Sequence, residues 1–185
     1  MKISRNQVSN LIFLILLVVL IFTPVRKPVQ IWLNKVLSFS PSVIKEEKRE
    51  SLNTYNWKLR NLDGNVYNFN NAKGKLILVN FWATWCPPCI AEMPSLQTLY
   101  NDYGDKMEFL FVTNDKEEAI VKFLDKNEYN LPVYHSITRV PDDFDTSGIP
   151  ATFLISKEGD IVVSKVGAAD WNSEKFRETL NDLLN

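Results

Sequence analysis

Cysteine and histidine are scarce in this chain, with two of the first and one of the second among 185 residues. A small fold stapled by several disulfides is thereby excluded. A zinc site takes four Cys, His or carboxylate ligands at set spacings, and the chain offers too few of the first two. A surplus of positive charge is also lacking: 21 Lys and Arg stand against 22 Asp and Glu, a formal net charge of −1. Nucleic-acid binding needs a basic surplus, so no nucleic-acid partner is expected. The sequence has no internal repeat and no low-complexity segment. Its 45% hydrophobic and 23% charged residues form an ordinary globular balance, which excludes wholesale disorder.

What is present is unevenly distributed. Residues 11–22 are apolar without interruption. As a helix they cover ~18 Å of a ~30 Å hydrocarbon core, and extension to 8–25 gives ~27 Å. Lys2 and Arg5 precede the run, as in a signal peptide. No Ala-x-Ala cleavage site follows it, however, and no cysteine is there to carry a lipid. An uncleaved single-span anchor is therefore favoured over a cleaved signal peptide, and a buried core helix is disfavoured because the run is apolar on every face. Arg26, Lys27 and Lys35 follow the run, so flanking charge does not settle orientation. Residues 1–27 are thus read as cytoplasmic tip and transmembrane anchor. Residues 28–52 are read as an interfacial segment, with Trp32 at headgroup level, or as a continuation of the anchor helix bent at Pro24 or Pro28, followed by a mixed charge run at 45–50 that is a solvated linker or helix turn. Residues 53–185 are read as the catalytic domain.

In that last part helical and extended patterns alternate. Segments 56–62 and 65–69 flank Asp63-Gly64, a hairpin signal. Residues 76–82 form a short apolar run suited to a central buried strand. Helical spacing marks 90–103, with Gly104 as its stop, and again 116–127 and 173–184. Strands are expected at 107–112, 131–137, 152–155 and 161–166. The order predicts an α/β domain with a mixed sheet covered on both sides.

Cys86-Pro87-Pro88-Cys89 follows the central strand and opens the first long helix. Two cysteines at i and i+3 on a first turn share one face and can close a disulfide. The helix N-terminus favours a thiolate at Cys86, the position expected to be exposed. Cys89, one turn in, is placed to resolve a mixed disulfide. The two prolines restrict φ and remove two N–H donors. A metal reading of the pair lacks ligands, and a structural disulfide this short closes almost no loop. Glu92 is either a solvated helix carboxylate or, if buried, a proton carrier with a raised pKa.

The string from Val79 to Cys89, with Glu92-Met93-Pro94 after it and Gly148-Ile149-Pro150-Ala151-Thr152 downstream, resembles the thioredoxin superfamily. More narrowly it is similar to the membrane-anchored TlpA/ResA-like thiol–disulfide oxidoreductases, over roughly residues 53–184. The resemblance implies a thioredoxin-like mixed central sheet flanked by helices, with an N-terminal β-hairpin extension beyond the transmembrane helix. It implies a cis Ile149–Pro150 bond beside the disulfide, Cys86, Cys89 and Glu92 as catalytic residues, and Trp85, Pro87, Ile149 and Pro150 as substrate-binding residues. Asn80 stands where thioredoxin itself carries a buried aspartate, so that proton route is absent. The implied activity is reduction of protein disulfides outside the cytoplasm, for example in cytochrome c maturation. It implies no metal and no cofactor beyond the dithiol, a membrane electron donor, and a monomer. Pro94 is expected to kink the helix, Trp57 and Trp171 to serve in packing, Trp82 to lie beneath the site, and His135 to have no role. Competing readings are a redox-inert adaptor or copper carrier, against which the intact motif and its spacing count, and a thiol peroxidase, whose cysteine turn is missing.

Overall fold

A computed structural model of the chain describes residues 10, 11, 13, 14, 26–36, 38–144 and 146–185. Helix α1 covers Arg26–Val36, α2 Pro87–Tyr103, α3 Glu117–Asn127 and α4 Glu174–Leu184. The strands are β1 Lys58–Asn61, β2 Val66–Asn68, β3 Ile77–Phe81, β4 Glu108–Val112, β5 Val133–Ser136, β6 Ala151–Ile155 and β7 Ile161–Val166. They form one mixed sheet in the order β2-β1-β5-β4-β3-β6-β7. β3 and β4 pair parallel, as do β4 and β5; the remaining pairs are antiparallel. β3 is buried at every position, as its unbroken apolar run predicts. The expected hairpin turns at Gly64, whose φ of 85° suits glycine, and β1 joins the sheet beside β5.

The two faces of the sheet are closed differently. Leu78, Phe109, Phe111 and Leu154 lie under three helices, through Met93, Leu96 and Leu99 of α2, Ile120 and Leu124 of α3, and Phe176 and Leu180 of α4. The other face, with Ile77, Val79, Leu110 and Phe153, is closed by aromatic side chains rather than a long helix. Trp57, Phe69 and Phe144 form that cap, with ring centroids 5.5–6.2 Å apart. Edge and tilted geometries of this kind favour aromatic pairs beyond their buried area. Trp57 is therefore a packing residue, as expected, and its indole N–H also donates to Ser136.

Gly104 ends α2, as expected, with a right-handed φ of −57°. Glycine is needed there because an added Cβ would meet the Tyr100 carbonyl at 2.8 Å. The charge run expected as a solvated linker or helix turn is exposed over residues 45–48 and makes a 3-10 turn at Glu46–Lys48, and the stretch around it is fastened to the domain. Ile44 N–H donates to the Val162 carbonyl, Ile161 N–H to Glu50, and Leu52 N–H to Gly159. Asp170 N–H donates to the Phe39 carbonyl, and α1 lies against α2. Residues 39–52 thus strap the β7 edge, which protects it from pairing with other chains. Among the described residues no helix is long and apolar enough to cross a membrane. Most of the apolar run at 11–22 lies outside the described residues; Leu11, Phe13 and Leu14 are helical and exposed.

Candidate active site

The site starts where β3 leaves the core. Trp82 N–H still pairs with the Val112 carbonyl. The chain then turns through Ala83, Thr84 and Trp85 to Cys86, which caps α2 with an extended φ/ψ of −84° and 109°. Pro87 and Pro88 occupy the first helical positions and have no N–H. The first free donor of the helix is therefore Cys89 N–H, and it points at Cys86 Sγ over 3.3 Å. The two prolines thus leave one amide, aimed at one sulfur, to express the positive helix end. The cysteines are joined as a disulfide, with Cα atoms 5.3 Å apart.

Cys86 differs from expectation in one respect: it is only 3% exposed. Its Sγ faces inward, 3.7 Å from the Ile149 carbonyl oxygen. Ile149–Pro150 is cis, and the Pro150 carbonyl accepts from Gly167 N–H. The loop 63 residues downstream therefore covers the sulfur. Pro87 is half-buried at the helix start, and Trp85 stands 63% exposed at the mouth.

Glu92, one turn beyond Cys89, is 1% exposed, so the solvated alternative is excluded. Three N–H groups hold its carboxylate. Asn80 Nδ2 donates to Oε1 at 2.9 Å; Trp171 Nε1 donates to Oε2 at 2.8 Å and Ala169 N at 3.3 Å. Burial pushes the Glu92 carboxyl up to about 7, outweighing the opposing pull of Trp171, Asn80, Ala169 and the nearby Lys165 charge. A carboxyl in this range can take and return a proton near neutral pH.

Composition and spacing did not single out three of these neighbours. Trp171 packs edge-on against Phe176, as a packing residue should, but its indole also closes the Glu92 cage. Asn80 cannot ionise, yet it is a donor to Glu92 and to Thr152. Asp115 fastens the turn before Cys86: Oδ2 accepts from Thr84 N–H at 2.6 Å and Thr84 Oγ1 at 2.7 Å, and Oδ1 from Trp85 Nε1 at 3.1 Å. His135, assigned no role above, lies 2.8 Å through Nε2 from the Asp115 carbonyl. A carbonyl only accepts, so the proton is on Nε2. Local sequence pattern does not reveal these contacts, because each joins residues 12 or more apart. Trp82 is buried beneath the turn, as expected, and Pro94 lies inside a continuous α2. A cleft of about 260 Å³ opens beside the turn, walled by Trp82, Trp85, Thr113, Asp115, Val140 and Ile149.

The comparisons with known proteins agree with this arrangement. Residues 53–164 match the AhpC/TSA family. The chain is 33% identical over 115 residues to the thioredoxin-like protein YneN of Bacillus subtilis, covering 60% of this chain and 68% of that one. It is 32% identical over 143 residues to the thiol-disulfide oxidoreductase ResA of Bacillus cereus, covering 76% and 79%. The crystal structure of the pneumococcal exposed lipoprotein thioredoxin Etrx1 from Streptococcus pneumoniae is similar at a TM-score of 0.56 and 26% identity, over 68% of this chain and 98% of that one. A secreted disulfide oxidoreductase of Mycobacterium tuberculosis, at a TM-score of 0.58 and 21% identity over 69% of this chain and 96% of that one, shares the fold. By fold, cysteine pair and relatives alike, the chain belongs to the AhpC/TSA family, as a thioredoxin-like thiol–disulfide oxidoreductase of the ResA type.

Proposed function

We propose that this oxidoreductase is tethered to a membrane and reduces protein disulfides outside the cytoplasm, with cytochrome c maturation or general redox homeostasis as its setting. The observation that carries the chemistry is Glu92, buried and N–H-bonded one turn beyond the Cys86–Cys89 pair. In the reduced protein the Cys86 thiolate attacks one sulfur of a substrate disulfide. A mixed disulfide forms and the other substrate sulfur leaves as a thiolate. Cys89 then passes its proton to Glu92 and attacks Cys86 Sγ, which expels the second substrate thiolate and closes the Cys86–Cys89 disulfide. Two electrons move from the dithiol to the substrate, and the two substrate thiolates end as thiols by taking up two protons. Glu92 returns one proton to them or to water, and water supplies the other.

The Ile149 carbonyl and the cis Pro150 present backbone to an extended substrate, while Trp85 and Pro87 supply the rim. The dithiol holds both electrons, so the reading requires no metal and no further cofactor. Its partners are protein thiols and disulfides, a membrane electron donor that re-reduces the pair, and the lipid bilayer; the chain acts as a monomer. The unbroken apolar run supports the tether, as do exposed Trp32, Leu33 and Phe39 in and after α1.

Two experiments test this. Cys86→Ser is expected to abolish reduction of a disulfide-bonded peptide; retained turnover would sink the chemistry. A topology reporter fused after Asn185 is expected to be active outside the cytoplasm, and a cytoplasmic signal would overturn the location.

A further inference from the structure

The Glu92 cage is lopsided. Oε2 accepts from two groups, Trp171 Nε1 and Ala169 N, that can only donate. Oε1 accepts from one, Asn80 Nδ2. Both oxygens are thus arranged for an ionised carboxylate, while burial opposes ionisation. The cage nevertheless contains an acceptor. Asn80 Oδ1 is buried and without a hydrogen-bond partner. It belongs to the amide that faces Oε1, and the same Nδ2 also donates to Thr152 Oγ1 at 2.7 Å.

We propose that Trp171 and Asn80 are positioning residues of the exchange reaction, acting through Glu92: they hold its two oxygens unequally, so that the proton arriving from Cys89 is carried on Oε1. This rests on the reading of Glu92 as the proton acceptor. Oε2 is occupied by two donors that cannot withdraw. The Trp171 indole is fully buried against Phe176. Its backbone N–H donates to Ser95 Oγ, which in turn donates to the Glu92 carbonyl, so ring and carboxylate are set by one helical turn. At Oε1 the single partner is a side-chain amide, whose two ends exchange on a half-turn about Cβ–Cγ. While Glu92 is ionised, the charge-assisted bond keeps Nδ2 inward. Protonation removes that preference. Oδ1 can then accept from Oε1–H, and from the Thr152 hydroxyl, which donates as readily as it accepts. The turn leaves the NH2 end unpaired where Oδ1 now sits, which returns the amide once the proton leaves.

The charged and titratable groups around this carboxylate are few. Lys165 on β7 acts on it electrostatically, and the cysteine pair precedes it on α2. β3 and β6 contribute the neutral Asn80 and Thr152, and the loop after β7 contributes Ala169 and Trp171.

The test is the pH dependence of reduction of a synthetic disulfide-bonded peptide by the reduced full chain. Trp171→Phe keeps a ring but removes a donor to the ionised form. It is expected to move the Glu92-dependent limb to higher pH by about one unit, the effect of one hydrogen bond to a charge. Asn80→Leu is expected to move it the same way and to slow the reaction on that limb. In a Glu92→Gln background neither substitution should move the profile, whereas a merely structural role would be felt in both backgrounds. An unmoved limb in Trp171→Phe, or an equal shift without Glu92, overturns the proposal. If Glu92→Gln alone leaves the parent profile intact, the reading of Glu92 falls and the proposal with it, a result distinct from the first. Should the variants not fold, the unaltered protein still decides. The indole N–H resonance of Trp171 is expected to titrate with the Glu92 carboxyl carbon, and a pH-independent indole signal counts against the proposal.

Discussion

Two carboxylates flank the redox turn, and each accepts three hydrogen bonds, one of them from an indole. Glu92 takes its bonds from Asn80, Ala169 and Trp171. Asp115 takes two from Thr84 and one from Trp85. They differ in water. Glu92, on the inner face of α2, is buried, whereas Asp115 is half-exposed at the mouth. Hydrogen bonding alone does not set the two apart, since each carboxylate accepts three bonds. Burial opposes ionisation and brings Glu92 to about 7. The open carboxylate fastens the turn; the sealed one is the proton acceptor of the proposed reaction.

The sharpest way to break this contrast is folding stability against pH. The folded Glu92 carboxyl lies near 7 against an ordinary value of 4.5, so the folded state holds the proton more tightly than the unfolded chain. Its contribution is complete below about 4.5 and is lost as pH rises through about 7, a fall of about 3 kcal/mol. Denaturant titrations of the oxidised protein should show this decline, and Glu92→Gln should remove it. An unchanged decline in Glu92→Gln would refute burial as the cause. Next comes rate: Glu92→Gln is expected to slow peptide-disulfide reduction by on the order of 10²-fold, the lower range for a lost proton carrier. Single-turnover exchange at neutral pH measures it.

Asp115→Ala should act more weakly and differently. It frees Thr84 and Trp85, with a cost of about 1–2 kcal/mol in stability. It should raise the KM for peptide more than it lowers kcat, and leave the pH profile in place; a shifted profile would erase the distinction between the two carboxylates. Trp85→Phe is the smallest change. It removes one bond at an exposed position, with an expected stability effect below ~1 kcal/mol, checked by thermal unfolding.

Much of the fold was legible because apolar periodicity is local. The run at 77–81, the helical spacing after Cys89 and Asp63-Gly64 each record which side meets the core. The strap at 39–52 was not legible: its charged side chains look like a solvated linker, and its attachments are backbone bonds that any sequence can make. The aromatic cap had the same difficulty. Phe69 and Phe144 are 75 positions apart, and nothing local says they meet.

The sequence by itself determined the reactive chemistry. Two cysteines at a spacing of three, with two prolines between, leave one dithiol at one helix start. The tertiary structure decided what surrounds that dithiol. It buried Cys86 under the Ile149 carbonyl, sealed Glu92 behind a tryptophan 79 residues away, and left Asp115 open to water. The physical reason is that a nucleophile's identity is covalent and local, whereas the proton affinity of a carboxylate depends on which distant groups exclude water from it.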